Sequence, residues 1–212
     1  MDKRQLVDIL ALQEALNREI NPNWMRAGYP WLRALHVECV EAMDHIGWKW
    51  WAKKEPDMAQ AKMELVDIWH FLLSWTLVWA NGDIERAADE LHLHTSLPRY
   101  PVEHSLLDML EDFGARAVQR NYPDMILFAR ICQAMGLSHD ELYRLYLGKA
   151  TLNRFRQLHG YAFGTYQKIW NGSEDNVVLE RILNAMPDPT STKVMAALSR
   201  AYACLTPSEP SA

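Results

Sequence analysis

Two pairs of acidic residues, Glu38/Glu41 and Glu64/Asp67, are each spaced i, i+3 on stretches of helical periodicity. That spacing puts both members of a pair on one helix face. Twenty-two residues lie between Glu41 and Glu64, enough to end one helix, turn and begin the next. If the two helices pack antiparallel, all four carboxylates converge. Acid paired with acid at this spacing costs a helix roughly 0.2–0.5 kcal/mol. Between Arg33 and Lys49 the chain carries Glu38, Glu41 and Asp44 and no basic residue other than histidine. Glu64 and Asp67 sit in or beside the apolar run Leu65-Val66-Asp67-Ile68-Trp69, where a carboxylate is costly unless it binds something. Converging oxygen ligands select a hard cation, and Mg²⁺ shared with substrate phosphates is the default. The chemistry indicated is metal-dependent attack on a phosphate ester. The plainer alternative is a solvated charged face.

Three other groups bear on that chemistry. Gln13 and Asn17 are i, i+4 within Leu12-Gln13-Glu14-Ala15-Leu16-Asn17. An amide holds a donor and an acceptor in one plane and matches an edge of a pyrimidine, although surface amides are common on helices. The run Gly47-Trp48-Lys49-Trp50-Trp51 is either ordinary core or a stacking surface for a base, with Lys49 reaching a phosphate. The segment from Leu152 to Trp170, followed by Glu174-Asp175-Asn176, gathers Arg, Tyr, Lys and Asn around Gly160, Gly164 and Gly172. It reads as a glycine-containing loop suited to phosphate capture, or as a polar surface loop.

The elements that must position these residues are helices. Apolar residues predict helices over 3–20, 30–46, 57–79, 84–92, 103–121, 123–135, 138–157, 174–185 and 191–204. Asn21-Pro22-Asn23, Gly47, Asn81-Gly82-Asp83, Pro98/Pro101, Gly136 and Pro187-Asp-Pro189 separate them. Ser138-x-x-Glu141 is a capping-box pattern. Residues 159–173 are expected to be mostly loop, with no strand in the chain. The expected fold is all-α, a compact multi-helix bundle: one domain over 1–205 and a disordered tail over 206–212.

A chain of 212 residues suffices for one substantial core. A net charge of -5 argues against coating a nucleic-acid polymer. Cys39, Cys132 and Cys204 show no zinc or redox spacing and read as reduced thiols, Cys39 as a buried one. No run approaches the ~18 apolar residues of a membrane span. The Met-Asp-Lys-Arg-Gln start lacks a signal-peptide core. These features point to a cytoplasmic protein that does not engage a membrane.

In this order, the motifs resemble those of the dimeric all-α dUTPases, in the all-α NTP pyrophosphatase (MazG-like) superfamily. The resemblance rests on Leu12-Gln13-x-x-Leu16-Asn17, Glu38-x-x-Glu41-x-x-Asp44-His45, Gly47-Trp48-Lys49-Trp50-Trp51 and Glu64-Leu65-x-Asp67-Ile68-Trp69-His70-Phe71. The late Leu-Asn-x-Phe-Arg-Gln, His-Gly-Tyr and Glu-Asp-Asn runs extend it, so that it covers roughly residues 5–180. The acidic pairs alone specify the superfamily, and the tryptophan run and late segments narrow it. The resemblance implies hydrolysis of dUTP to dUMP and pyrophosphate, with dUDP also accepted, by a homodimer. It implies two or more Mg²⁺ ions held by Glu38, Glu41, Glu64 and Asp67, with an activated water as nucleophile and Glu38 or Glu41 handling that water. Gln13 and Asn17 would read the uracil edge, and Trp50 would pack on the base. His70 and Phe71 would face the deoxyribose. Arg156, Tyr166, Lys168 and Asn176 would reach the phosphates, with Lys49 a further candidate. One departure is the continuation of the tryptophan run as Ala52-Lys53-Lys54, which shifts the lysine register.

Competing readings remain at this level. A dCTPase-dUTPase or a broad MazG-like pyrophosphatase differs in the base, because a rotated amide presents the opposite pattern to cytosine. A di-iron bundle would need Glu-x-x-His pairs, which His45 and His70 do not complete. A non-catalytic helical interaction protein would have no use for four intact acids.

Overall fold

The computed structural model describes residues 1–52, 55–95 and 104–205. Its architecture is all-α, as the sequence predicts. The described helices are α1 (Lys3–Ile20), α2 (Trp31–Ile46), α3 (Met58–Trp79), α4 (Ile84–Thr95), α5 (Leu106–Arg120), α6 (Met125–Ala134), α7 (His139–Leu158), α8 (Asp175–Asn184) and α9 (Ser191–Ala203). The Pro98/Pro101 connector, Lys53-Lys54 and the tail from 206 lie outside the described residues.

Local chemistry sets the helix ends. Asp2 and Gln5 form a reciprocal capping box at the start of α1. Asp57 caps α3 by accepting from the Gln60 amide. Gly47 closes α2 in the left-handed region at φ 80°, where a side chain would be strained. At α7 half of the predicted capping box forms: the Glu141 amide donates to Ser138 Oγ. The Glu141 carboxylate accepts instead from Lys62 Nζ at 3.0 Å.

Contacts group the chain into two compact units, Met1–Tyr146 and Leu147–Ala212. In the first, α3 is the central element. Fourteen of its residues are buried, including Leu65, Val66, Ile68, Leu72, Leu73 and Leu77, so it reads as apolar nearly all round. α2 packs along α3 and also against α5. Three contacts show that α2 and α3 run antiparallel. The Asp57 amide donates to the His45 carbonyl at 2.8 Å. His45 Nε2 lies 3.4 Å from Glu64 Oε1. At the other end the Trp31 and Phe71 rings are 6.3 Å apart. The α2–α5 contact is close because residue 114 is glycine: a Cβ there would stand 2.6 Å from His36 Nδ1 and 3.2 Å from Cys39 Cβ.

The second unit packs Phe155, Trp170 and Tyr202 ring against ring, with centroids 5.1–5.6 Å apart. It also corrects the expectation of a strandless loop over 159–173. Ile169–Trp170 pairs antiparallel with Ser173–Glu174. Asn171 and Gly172 form the turn at φ 47° and 82°, the positive values a two-residue hairpin of type I′ requires.

Candidate active site

The antiparallel packing of α2 on α3 turns two separated acidic motifs into one cluster. A carboxylate oxygen from each of Glu38, Glu41 and Glu64 lies within 4.8 Å of the others. Glu64 is buried, Glu38 half-buried and Glu41 exposed, so the group opens to solvent on the Glu41 side. Asp67 stands outside that trio but acts on it: after burial, its charge is the strongest influence raising the Glu38 pKa. Burial, then Asp67, Glu64 and Glu41, push Glu38 up to about 8, and Glu38 shares a hydrogen bond with Glu64. Carboxylates this close share protons or bind a cation. An all-oxygen, multiply acidic donor set fits a hard divalent ion. His45 stands beside Glu64, its Nε2 3.4 Å from Glu64 Oε1. Its spacing four residues after Glu41 puts it on the same helix face, a signal present in the sequence.

One turn further along α3, Phe71 is half-buried and His70 buried. Gln13 and Asn17 of α1 are buried as well, at 3% and 6% exposure, so they are not surface amides. His70 Nδ1 lies 2.7 Å from Gln13 Oε1. The hydroxyl of Tyr146, on α7, lies 3.0 Å from the same oxygen. Gln13 Nε2 donates to Asn17 Oδ1 at 2.9 Å, and Asn17 Nδ2 to Ser74 Oγ at 2.9 Å. Sequence reasoning missed Ser74 and Tyr146. Ser74 had a weak signal, because it continues the Glu64, Asp67, His70 stripe at helical spacing. Tyr146 had none.

The tryptophan run is outside the core. Trp50 is 89% exposed, and Trp48 and Trp51 sit edge to face. Lys49 is folded back into an ion pair with Asp44, so it is not extended toward a phosphate.

In the second unit, the late residues form a network of their own. Arg156 makes a two-point pair with Asp175, 2.8 Å at each end, and donates to Asn153 at 3.1 Å. The Tyr166 hydroxyl donates to Asp175 Oδ2 at 2.7 Å. Lys149, a buried cation absent from the sequence reading, donates to Asn176 Oδ1 at 2.8 Å. Burial alone would raise the Asp175 pKa, but Arg156, Tyr166 and Lys149 together hold it below the ordinary value. Burial and the hydrogen bond to Asp175 drive the Tyr166 pKa upward. Lys168 is exposed, 3.6 Å from Glu174.

No helix among the described residues is long and apolar enough to cross a membrane. No curated protein matches the chain. A family model described as dUTPase matches residues 5–161. The match takes in the amide pair, both acidic pairs, the tryptophan run and Arg156, and it ends before Tyr166, Lys168 and Asn176. With most of its length matched and a carboxylate cluster suited to a phosphate-bound cation, the chain belongs to the dUTPase family and is a dUTP diphosphatase.

Proposed function

We propose that this dUTPase converts dUTP to dUMP and pyrophosphate, and accepts dUDP, with Mg²⁺ held by Glu38, Glu41, Glu64 and Asp67. The observation that carries this reading is the convergence of Glu38, Glu41 and Glu64 oxygens within 4.8 Å. That donor set suits a hard cation, and a bound cation would relieve the mutual repulsion of the three carboxylates. Bound there, Mg²⁺ would screen the phosphates and acidify a neighbouring water.

The remaining work falls to the side chains. Glu41 is the exposed acid of the trio, so it is the one open to a solvent-derived nucleophile. We assign it to orient that water and take its proton, with Glu38 and Glu64 mainly holding metal. Gln13 and Asn17 read the uracil edge, His70 and Phe71 line the deoxyribose, and Trp50 covers the base. Arg156, Tyr166, Lys168, Asn176 and Lys49 bind phosphate. For Arg156 and Lys49 that role requires a phosphate to compete with the carboxylates of Asp175 and Asp44 that they hold.

A homodimer is supported by apolar surface on the first unit. Val37 and Val40 project from α2 at 45% and 46% exposure, close in sequence to Trp48, Trp50 and Trp51. Three unpaired cysteines support a reducing, cytoplasmic setting. The test is turnover of dUTP, dUDP, dCTP, dTTP and UTP side by side, with Mg²⁺ and with chelator. Metal-dependent preference for dUTP is expected, and a preference for dCTP would overturn the base assignment.

A further inference from the structure

The amide pair Gln13/Asn17 can face a base in two ways. The two side chains meet through Gln13 Nε2 and Asn17 Oδ1 at 2.9 Å, so they can only rotate together: two amide oxygens, or two amide nitrogens, cannot share that contact. One orientation suits uracil and the other suits cytosine. What fixes the direction lies outside the pair.

Ser74 sits four residues after His70 on α3, and its hydroxyl donates back to the His70 carbonyl at 2.9 Å. A backbone carbonyl only accepts, so the single Ser74 proton is committed there. Ser74 Oγ then has only lone pairs for its other neighbour and must accept from Asn17 Nδ2, 2.9 Å away. That turns Asn17 Oδ1 toward Gln13 Nε2. It leaves Gln13 Oε1 facing inward, where the Tyr146 hydroxyl at 3.0 Å and His70 Nδ1 at 2.7 Å occupy it. The Tyr146 proton is shared with the Ile9 carbonyl at 3.1 Å, another group that only accepts. His70 is held against Tyr146 with ring centroids 4.5 Å apart. The chain of bonds therefore has one direction, each group donating to the next from the Gln13 amide nitrogen through Asn17 and Ser74 to the His70 carbonyl.

Counting what is left decides the base. Gln13 has both oxygen lone pairs engaged and one N–H remaining. Asn17 has one oxygen lone pair and one N–H remaining. The pair thus offers donor, acceptor, donor. The uracil edge presents acceptor, donor, acceptor at O4, N3–H and O2. Cytosine presents a donor at N4 and an acceptor at N3, which meets like with like at both positions.

We propose that Ser74 and Tyr146 are positioning residues that set the hydrogen-bond direction of Gln13 and Asn17, and thereby make the site select uracil over cytosine. The proposal rests on the assignment of Gln13 and Asn17 to the base. Removing the Ser74 hydroxyl frees the pair to reverse. Removing the Tyr146 hydroxyl takes away one of the two partners that hold Gln13 Oε1 inward, so the amide can turn more freely. Neither residue touches the reacting phosphates, so the effect appears in discrimination and not in the metal dependence.

The experiment compares kcat/KM for dUTP and dCTP in wild type, Ser74→Ala, Ser74→Thr, Tyr146→Phe and Gln13→Ala, with thermal melts to establish folding. Ser74→Ala is expected to lower the dUTP/dCTP ratio about tenfold, the scale of one net hydrogen bond. Ser74→Thr, which keeps the hydroxyl, should restore it, and Tyr146→Phe should lower it by a smaller factor. If Ser74→Ala does not fold, Tyr146→Phe reads the same ratio from the other end of the chain of bonds. A ratio unchanged in Gln13→Ala removes the base-reading assignment, and the proposal with it. A ratio that collapses in Gln13→Ala but stays at the wild-type value in the Ser74→Ala and Tyr146→Phe variants overturns the positioning role alone.

Discussion

Arg156 grips Asp175 at two points, each 2.8 Å, with the carboxylate wholly buried and the guanidinium nearly so. Substituting Asp175 by alanine strands a buried cation, a change that costs about 3–5 kcal/mol. The Asp175 pKa is lowered in the folded state. Its contribution is therefore complete above the unfolded value of 3.8 and is lost as pH falls through the folded one. Chemical denaturation of wild type and Asp175→Ala should converge on acidification and separate again at neutral pH. A constant gap across that range would remove Asp175 as the source.

Glu38 has the opposite sign. Burial and its acidic neighbours raise its pKa from 4.5 to about 8 in the folded, metal-free protein. The folded state thus holds a proton that the unfolded chain has released. The stabilisation is full below 4.5 and disappears as pH rises through about 8. Metal-free protein should lose stability over that window, and Mg²⁺ should restore it at the alkaline end. A metal-free denaturation midpoint that does not fall over that range would contradict the clustering of the acids.

Glu41→Gln keeps an oxygen ligand and loses the capacity to take a proton. Turnover of dUTP should fall about 10²–10⁴-fold, the contribution of general acid–base catalysis, while a calorimetric Mg²⁺ titration still shows binding. Near-wild-type turnover with metal bound would transfer the water-handling role away from Glu41.

Trp50 is 89% exposed and meets the ring of the exposed Trp51 edge to face. Trp50→Ala should leave the denaturation midpoint within about 0.5 kcal/mol of wild type. It should raise KM for dUTP if the ring covers the base. An unchanged KM would assign the ring elsewhere, the subunit contact being the first alternative to check by sedimentation.

Some features are legible in the residues alone. The i, i+3 acids of α2 and α3 needed only the helical repeat to be placed on one face, and the helix bounds followed from caps and breakers such as Asp57 and Gly47. The hairpin at 169–174 was also readable in principle. Asn171-Gly172 is the dipeptide that a type I′ turn demands, but the strands it joins are two residues each, too short to show an alternating pattern. Lys149 illustrates the reverse case. Its sequence neighbours gave no hint of burial, because its partner Asn176 lies 27 residues away.

The sequence by itself determined that this chain is helical, where its carboxylates stand along α2 and α3, and which residues carry the dUTPase resemblance. These follow from local periodicity and from side-chain type, which neighbouring residues alone specify. Tertiary structure decided which acids meet, because the distance between Glu38 and Glu64 depends on the direction in which α2 lies along α3. It also decided which polar groups are tied to one another. Lys49 turns back to Asp44, and Asn17 bonds to Ser74 from 57 residues away. A side chain's hydrogen-bonding capacity is written in its type, whereas its remaining capacity depends on partners that only packing supplies.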